Sequence, residues 1–235
     1  MTSRGATNVR VVSIGAMGAN AMWGEREPAR TGHATTSFIG VGDRKILVDP
    51  GLPAPALVAR LGERLRLTPA DITDVFLTSF QPETRRALEA FEGATWWIST
   101  EEREGVGAPM AAELARLARL NRPEDAELLA MLQKDVALLR RCDAAPDALA
   151  PGVDLFPLPG VTPGLCGLVV EGPRHTVLIC GDAIPTQDHL ESGRIQPGAA
   201  DIDKARASLE DALEVADLMV LGRDNIVVNP AARPF

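Results

Sequence analysis

The stretch "ITDVFLTSFQPET", Ile72 to Thr84, decides how this chain is read. Asp74 to Thr78 has the apolar, β-prone composition of a strand, and it opens into a loop carrying Ser79, Gln81, Glu83 and Thr84. The groups at this strand end are hydroxyls, an amide and a carboxylate, with no imidazole among them.

Upstream, Thr68-Pro69-Ala70-Asp71 is a compact capping signal. Pro53 and Pro55 open a helix in which Leu57, Leu61 and Leu65 recur at i, i+4 and i+8 as one buried stripe. Earlier still, "TSFIGV" and "KILVDPG" flank the turn Gly42-Asp43 and predict a hairpin. "VRVVSIG", Val9 to Gly15, predicts a strand followed by a Gly-, Asn- and Pro-bearing loop to His33. Downstream, residues 83 to 91 have helical composition and "ATWWIS" reads as a strand. Pro109 to Arg141 reads as a helical hairpin, one arm marked by Met110, Leu114 and Leu117, the other by Leu128, Leu132, Val136 and Leu139. Asn121-Arg122-Pro123 separates the arms. The chain then returns to strands, "VDLFPL", "CGLVVE" and "TVLICGDA", before a helix from about Asp201 to Ala216 and a last buried strand "LMVLG".

This alternation places the protein in the α/β class. A length of 235 residues suits one domain spanning 1–235, with the helical hairpin as an insert at about 105–145. The formal net charge is -8, from 32 acidic and 24 basic residues, and no dense Lys/Arg block occurs, so no nucleic-acid partner is expected. No apolar run has bilayer-spanning length, so no membrane partner is expected either. Arg4 and Arg10 precede "VVSIGAMGANAMW", in which Ala19-Asn20-Ala21 imitates a signal-peptidase site; Ser13, the glycines and Asn20 make the segment too polar for that role. Cys142, Cys166 and Cys180 have no CxxC spacing and suggest neither a disulfide framework nor a zinc-thiolate site, which fits a cytoplasmic location.

The order "ILVDPG", "ITDVFLTSFQPET", "LPGVTPGLCGLVVEG", "TVLICGDAI" and "VLGRDN" resembles the metallo-β-lactamase superfamily across almost the whole chain, in spacing, order and strand context together. The resemblance implies a four-layer αββα sandwich, two sheets face to face with helices outside and a metal site at one edge. It also implies a His-x-His-x-Asp-His loop after the strand ending in Leu-Thr, whose imidazoles and carboxylate hold one or two metal ions that activate water. At the matching positions stand Ser79, Gln81, Glu83 and Thr84. A further family histidine corresponds to Val161, and the histidine of the family's Gly-His-Asp corresponds to Arg223, between Gly222 and Asp224. Only Asp182, in "GDA", keeps the family's ligand.

One carboxylate with neutral oxygen donors lacks the nitrogen ligands that suit zinc, so the family's cofactor is not expected here. Glu83 leaves a second carboxylate, which suits a hard cation such as Mg or Ca weakly. A buried Asp182 still needs a counter-charge, and Arg223 can supply one through two parallel hydrogen bonds, reaching Glu83 or Asp49 as well. The plainer alternative makes Arg223 a solvated residue at a strand end. Val161 and Leu165 are either ordinary loop packing or the lining of a partly apolar pocket for a small organic ligand.

Two functional classes follow. One is a metal-free degenerate hydrolase that binds a small molecule or a partner, a second copy of itself included. The other is an active ester, lactone or thioester hydrolase remodelled around Asp182, Glu83, Arg223 and His189. His189, seven residues after Asp182, is an acid or base candidate, or a loop histidine bonded to backbone. His175 falls in a surface turn. Cys166 is a nucleophile candidate or a small core residue, and Ser79 has no evident base. Trp96 and Trp97 alternate faces, one toward the core and the other toward a cleft or partner. The helical hairpin lids a pocket, forms a dimer surface or packs on its own domain. "GAMGAN" and "GVG" lack the strand-to-helix context of a nucleotide site.

Overall fold

The computed structural model describes residues 7–120 and 122–232; Arg4 and Asn121 of the readings above lie outside them. The strand from Val9 and the hairpin about Gly42-Asp43 form as β1 (Asn8–Ser13), β2 (Thr36–Val41) and β3 (Arg44–Val48), antiparallel neighbours. Helix α1 (Ala54–Leu65) buries Leu57 and Leu61 and carries the chain to β4 (Asp74–Leu77). From there β5 (Thr95–Ile98), α2 (Thr100–Leu120), α3 (Ala126–Arg141) and the short β6 (Asp143–Ala144) complete the first half. The second half comprises β7 (Ala148–Ala150), β8 (Val153–Pro157), β9 (Cys166–Glu171), β10 (Thr176–Gly181), α4 (Gln187–Ser192), α5 (Ile202–Val215), β11 (Leu218–Leu221) and β12 (Ile226–Val228).

Each half makes one six-stranded sheet, ordered β1-β2-β3-β4-β5-β6 and β12-β11-β10-β9-β8-β7. Side chains alternate across a strand, so the apolar runs feed two layers at once. In β3 and β4, Ile46, Val48 and Phe76 face the opposite sheet, where they meet Leu168, Val177, Ile179 and Val220. Leu47, Val75 and Leu77 face outward onto Leu57 and Leu61 of α1 and Leu139 of α3. In the second sheet, Leu178, Cys180, Met219 and Leu221 turn outward onto Leu209 and Ala212 of α5. Helix, sheet, sheet, helix: the αββα arrangement rests on these three apolar layers.

Several local readings need correction. Residues 83 to 91 are not a continuous helix; only Leu88–Phe91 forms a single 3-10 turn. Thr84 instead turns its hydroxyl back onto the carbonyls of Ser79 and Gln81, both 2.8 Å, and this competes with helix formation. The hairpin begins at Thr100 rather than Pro109, which sits inside α2, so the insert runs over 100–141 rather than 105–145. His189 belongs to the one-and-a-half-turn α4, and "LMVLG" is followed by a further strand, β12. Trp96 is buried beneath α3, whereas Trp97 faces the layer between the sheets and donates to Asp74 at 2.8 Å. No helix among the described residues is long and apolar enough to cross a membrane.

Candidate functional site

Parallel pairing aligns the carboxyl ends of neighbouring strands, and the candidate residues hang from those ends. In the second sheet β10 runs parallel to β11, with Ile179 opposite Val220 and Gly181 opposite Leu221. Asp182 and Arg223 therefore leave adjacent strands side by side. A glycine at each strand end permits a close approach, Gly222 toward the end of β10 and Gly181 toward Thr78 after β4. Gly181 has a φ of +53°, and a Cβ there would lie 2.5 Å from Thr78 Oγ1; a Cβ on Gly222 would lie 2.3 Å from the Gly181 carbonyl oxygen. The Arg223 backbone is held by its amide on the Pro185 carbonyl at 2.7 Å, and Gly222 donates to Ile184 at 3.0 Å.

Arg223 grips Asp182 with both edges of a fork: Nε donates to Oδ1 at 2.7 Å and Nη2 to Oδ2 at 2.5 Å. The side chains are 9% and 2% exposed, so this is a buried bidentate ion pair. The solvated alternative for Arg223 is thereby set aside. Burial works against the Arg223 charge, but Asp182, helped by the fields of Glu83 and Asp49, more than offsets it and raises the guanidinium pKa. Nη2 also lies 3.5 Å from Gln81 Oε1.

A second buried carboxylate lies behind the pair. Asp49, at the end of β3, adopts a left-handed φ of +50° and accepts from the Thr78 amide at 2.9 Å and the Thr78 hydroxyl at 2.6 Å. Burial pushes its pKa up to about 7 against the pull of those donors, with the Asp182 charge adding to the rise.

The loop after β4 is fixed from below. Glu102, fully buried in the first turn of α2, accepts from the Phe80 amide at 2.9 Å, the Thr162 hydroxyl at 2.7 Å and the Gly164 amide at 3.0 Å. One carboxylate thus ties the loop after β4 to the loop before β9. Arg85 locks the other flank, pairing with Asp135 of α3 at 2.8 Å and stacking 4.2 Å from the centre of the Phe80 ring.

Above these strand ends lies an open cleft of about 480 Å³, with Asp182 and Arg223 at its floor and Gln81, Glu83 and Val161 around them. Ser79 and Thr84 do not line it. Ser79 is fully buried, its hydroxyl without a hydrogen-bond partner among the described residues, and Thr84 is spent on backbone carbonyls. His189 does not line it either; its Nδ1 is hydrogen-bonded to Thr186 Oγ1 at 2.8 Å, and burial lowers its pKa, which favours the neutral ring. Cys166 is buried between the sheets with its thiol pushed up to about 12, which leaves no thiolate for attack at neutral pH. Among the described residues, none of the α2–α3 hairpin lines the cleft. The opposite wall, Met17, Gly18, Pro28, Arg30 and Gln196, comes from two loops, the first of which holds the "GAMGAN" stretch that was not read as a site.

The donors present do not fit zinc. Both Asp182 oxygens accept from Arg223, Thr78 donates to both Asp49 oxygens, and among the described residues no three His, Cys, Asp or Glu side chains gather as a metal-holding group.

Asp49 supplies a pH signature. Its folded pKa of about 7 exceeds its ordinary value of 3.8, so between these values the folded state keeps a proton the unfolded state has lost, and stability falls as pH rises. Denaturant titrations across pH should show the stability of Asp49→Asn, relative to the unmodified chain, climbing through that window and levelling above it. A difference that stays flat with pH would remove Asp49 as the titrating group.

No protein-family model matches the sequence. No curated protein matches it either. Solved structures do. A Staphylococcus aureus protein described as a probable metal-dependent hydrolase superimposes with a TM-score of 0.70 at 14% identity, over 98% of this chain and 96% of that one. A Thermotoga maritima protein provisionally described as a metallo-β-lactamase gives 0.65 at 17% identity, over 95% and 99%. AidC, a dizinc quorum-quenching lactonase, gives 0.61 at 18% identity, over 77% and 67%. With its two facing sheets, outer helices and site at the carboxyl ends of the strands, the chain has the fold of the metallo-β-lactamase superfamily.

Proposed function

We propose that this protein is a metal-free member of its fold, a degenerate hydrolase whose cleft binds a small organic molecule. The observation that carries the reading is the bidentate Arg223–Asp182 pair, with a guanidinium where a dication would have to sit. A fixed cation bonded through both oxygens offsets the carboxylate's charge and occupies one lone pair on each oxygen, so a dication at Asp182 would meet the charge and bulk of the guanidinium. The candidate catalytic groups support the same reading. His189 is turned onto Thr186, Ser79 has no base, and Cys166 is a buried thiol. Three unpaired, buried cysteines support a cytoplasmic setting.

The alternative, an ester, lactone or thioester hydrolase remodelled around Asp182 and Glu83, draws on the lactonases that share the fold. The two separate on substitution. In the metal-free protein Asp182→Ala strands a buried guanidinium and should cost about 3–5 kcal/mol in denaturant unfolding. Adding Arg223→Met should recover most of that loss, and neither variant should change an already absent lactone or ester turnover. Turnover by the unmodified chain that Asp182→Ala abolishes, with unfolding unchanged, would establish the alternative.

Metal content tests the reading independently. Elemental mass spectrometry on protein expressed with zinc, iron and manganese supplied, and purified without nickel resin or chelators, should find below about a tenth of an equivalent of any of them, the mark of a site too weak to survive purification. Near-stoichiometric metal would overturn the assignment.

A further inference from the structure

The charges around the cleft divide into those already spent and one that is not. Arg223 is committed to Asp182. Arg30 is committed to Glu25, with Nη1 on Oε2 at 3.0 Å and Nη2 on Oε1, and it lies over the Trp23 ring. Arg86 gives Nη2 to the Gly32 carbonyl at 3.0 Å and is not part of the lining. Glu83 differs from all of them. It lines the cleft half-buried, and among the described residues its carboxylate has neither a hydrogen bond nor an ion pair, only the longer-range field of Arg223.

Its position does not depend on an occupant. The Glu83 carbonyl accepts from the Ala34 amide at 3.0 Å, the Thr84 amide next to it donates to Gln81 at 3.1 Å, and Glu102 and Arg85 clamp the same loop. A backbone held in place ahead of binding leaves only the Glu83 side-chain torsions to be ordered by a ligand. Around it, Met17, Pro28, Val161 and Pro197 supply apolar wall, and Gln81 and Gln196 supply amide carbonyls able to accept further N–H donors.

An anion is poorly served in this cleft. The one cation at its floor is neutralised by Asp182, and Glu83 repels a second negative charge. We infer that the cleft takes a small organic cation, a primary ammonium on an apolar body, with its N–H donors on the Glu83 carboxylate and its hydrocarbon against the apolar wall. The volume of about 480 Å³ suits a compact molecule of that kind. The inference rests on the metal-free reading, since a dication bound at Asp182 would repel the ligand.

The test is isothermal titration calorimetry on the full chain in phosphate buffer, free of amine buffers. The probes are 2-phenylethylamine, 3-phenylpropionate as the anion of matched size, and 3-phenylpropanol as the neutral control. The ammonium should bind saturably, at least about tenfold tighter than the anion or the alcohol, as a charge-assisted hydrogen bond requires. Glu83→Gln should weaken it by about tenfold or more while the unfolding midpoint stays unchanged, because no protein partner is left behind. The exposed Glu89→Gln should bind like the unmodified chain. Anion binding as tight as ammonium binding, equal binding by Glu83→Gln, or no saturable heat with the amine up to about 10 mM each overturns the inference. Metal analysis of the same preparation keeps the two failures apart. Bound metal sinks the metal-free reading, whereas metal-free protein that ignores the amine sinks only the ammonium site.

Discussion

Asp182 is a buried carboxylate at the end of a strand, and the charge that offsets it is Arg223. The pair governs the rest of the site. It offsets the Asp182 charge through both oxygens, and it forms the floor of the cleft. It also places a guanidinium near Asp49, whose pKa burial raises and Arg223 pulls back in part. Replacing one member alone would leave the other charged in a dry setting, so the two side chains act as a unit.

The fold makes the pair possible before any side chain contributes. Parallel pairing of β10 and β11 brings two strand ends level, and Gly222 lets the backbones approach closely enough for Asp182 and Arg223 to meet, while Gly181 makes room for Thr78 of the other sheet. From the other sheet, Asp49 and Thr78 bond across the ends of β3 and β4, and Glu102 joins the loop after β4 to the loop before β9. The polar anchors at this edge have few water-facing atoms, so the floor of the cleft is rigid while its outer wall is loop.

What could be read from the chain follows the same division. Strand positions were legible from a period of two, and the Asp182–Arg223 partnership because the family resemblance puts both at metal-ligand positions, where a buried carboxylate calls for a counter-charge. The boundary of α2 was not: its first turns, "TEEREGVGA", hold two glycines and a single large apolar residue, Val106, so no stripe announces a helix there. Residues 83 to 91 were misread because Thr84 and Arg85 bond to the carbonyls of Ser79, Gln81 and Phe80, overriding helical composition. Glu102 was missed because one glutamate in an acidic run carries no mark of the three donors waiting for it. Arg30, Met17 and Gln196 reach the cleft only through the closing of long loops, which leaves no periodic trace.

The central claim is that a guanidinium occupies the place of a metal ion. The most direct measurement is a crystal structure from crystals soaked in excess zinc, with diffraction recorded on either side of the zinc absorption edge. The account predicts no anomalous peak at Asp182 and an Arg223 guanidinium bonded to both carboxylate oxygens. A zinc peak coordinated by Asp182, with Arg223 swung out of the cleft floor, would contradict it.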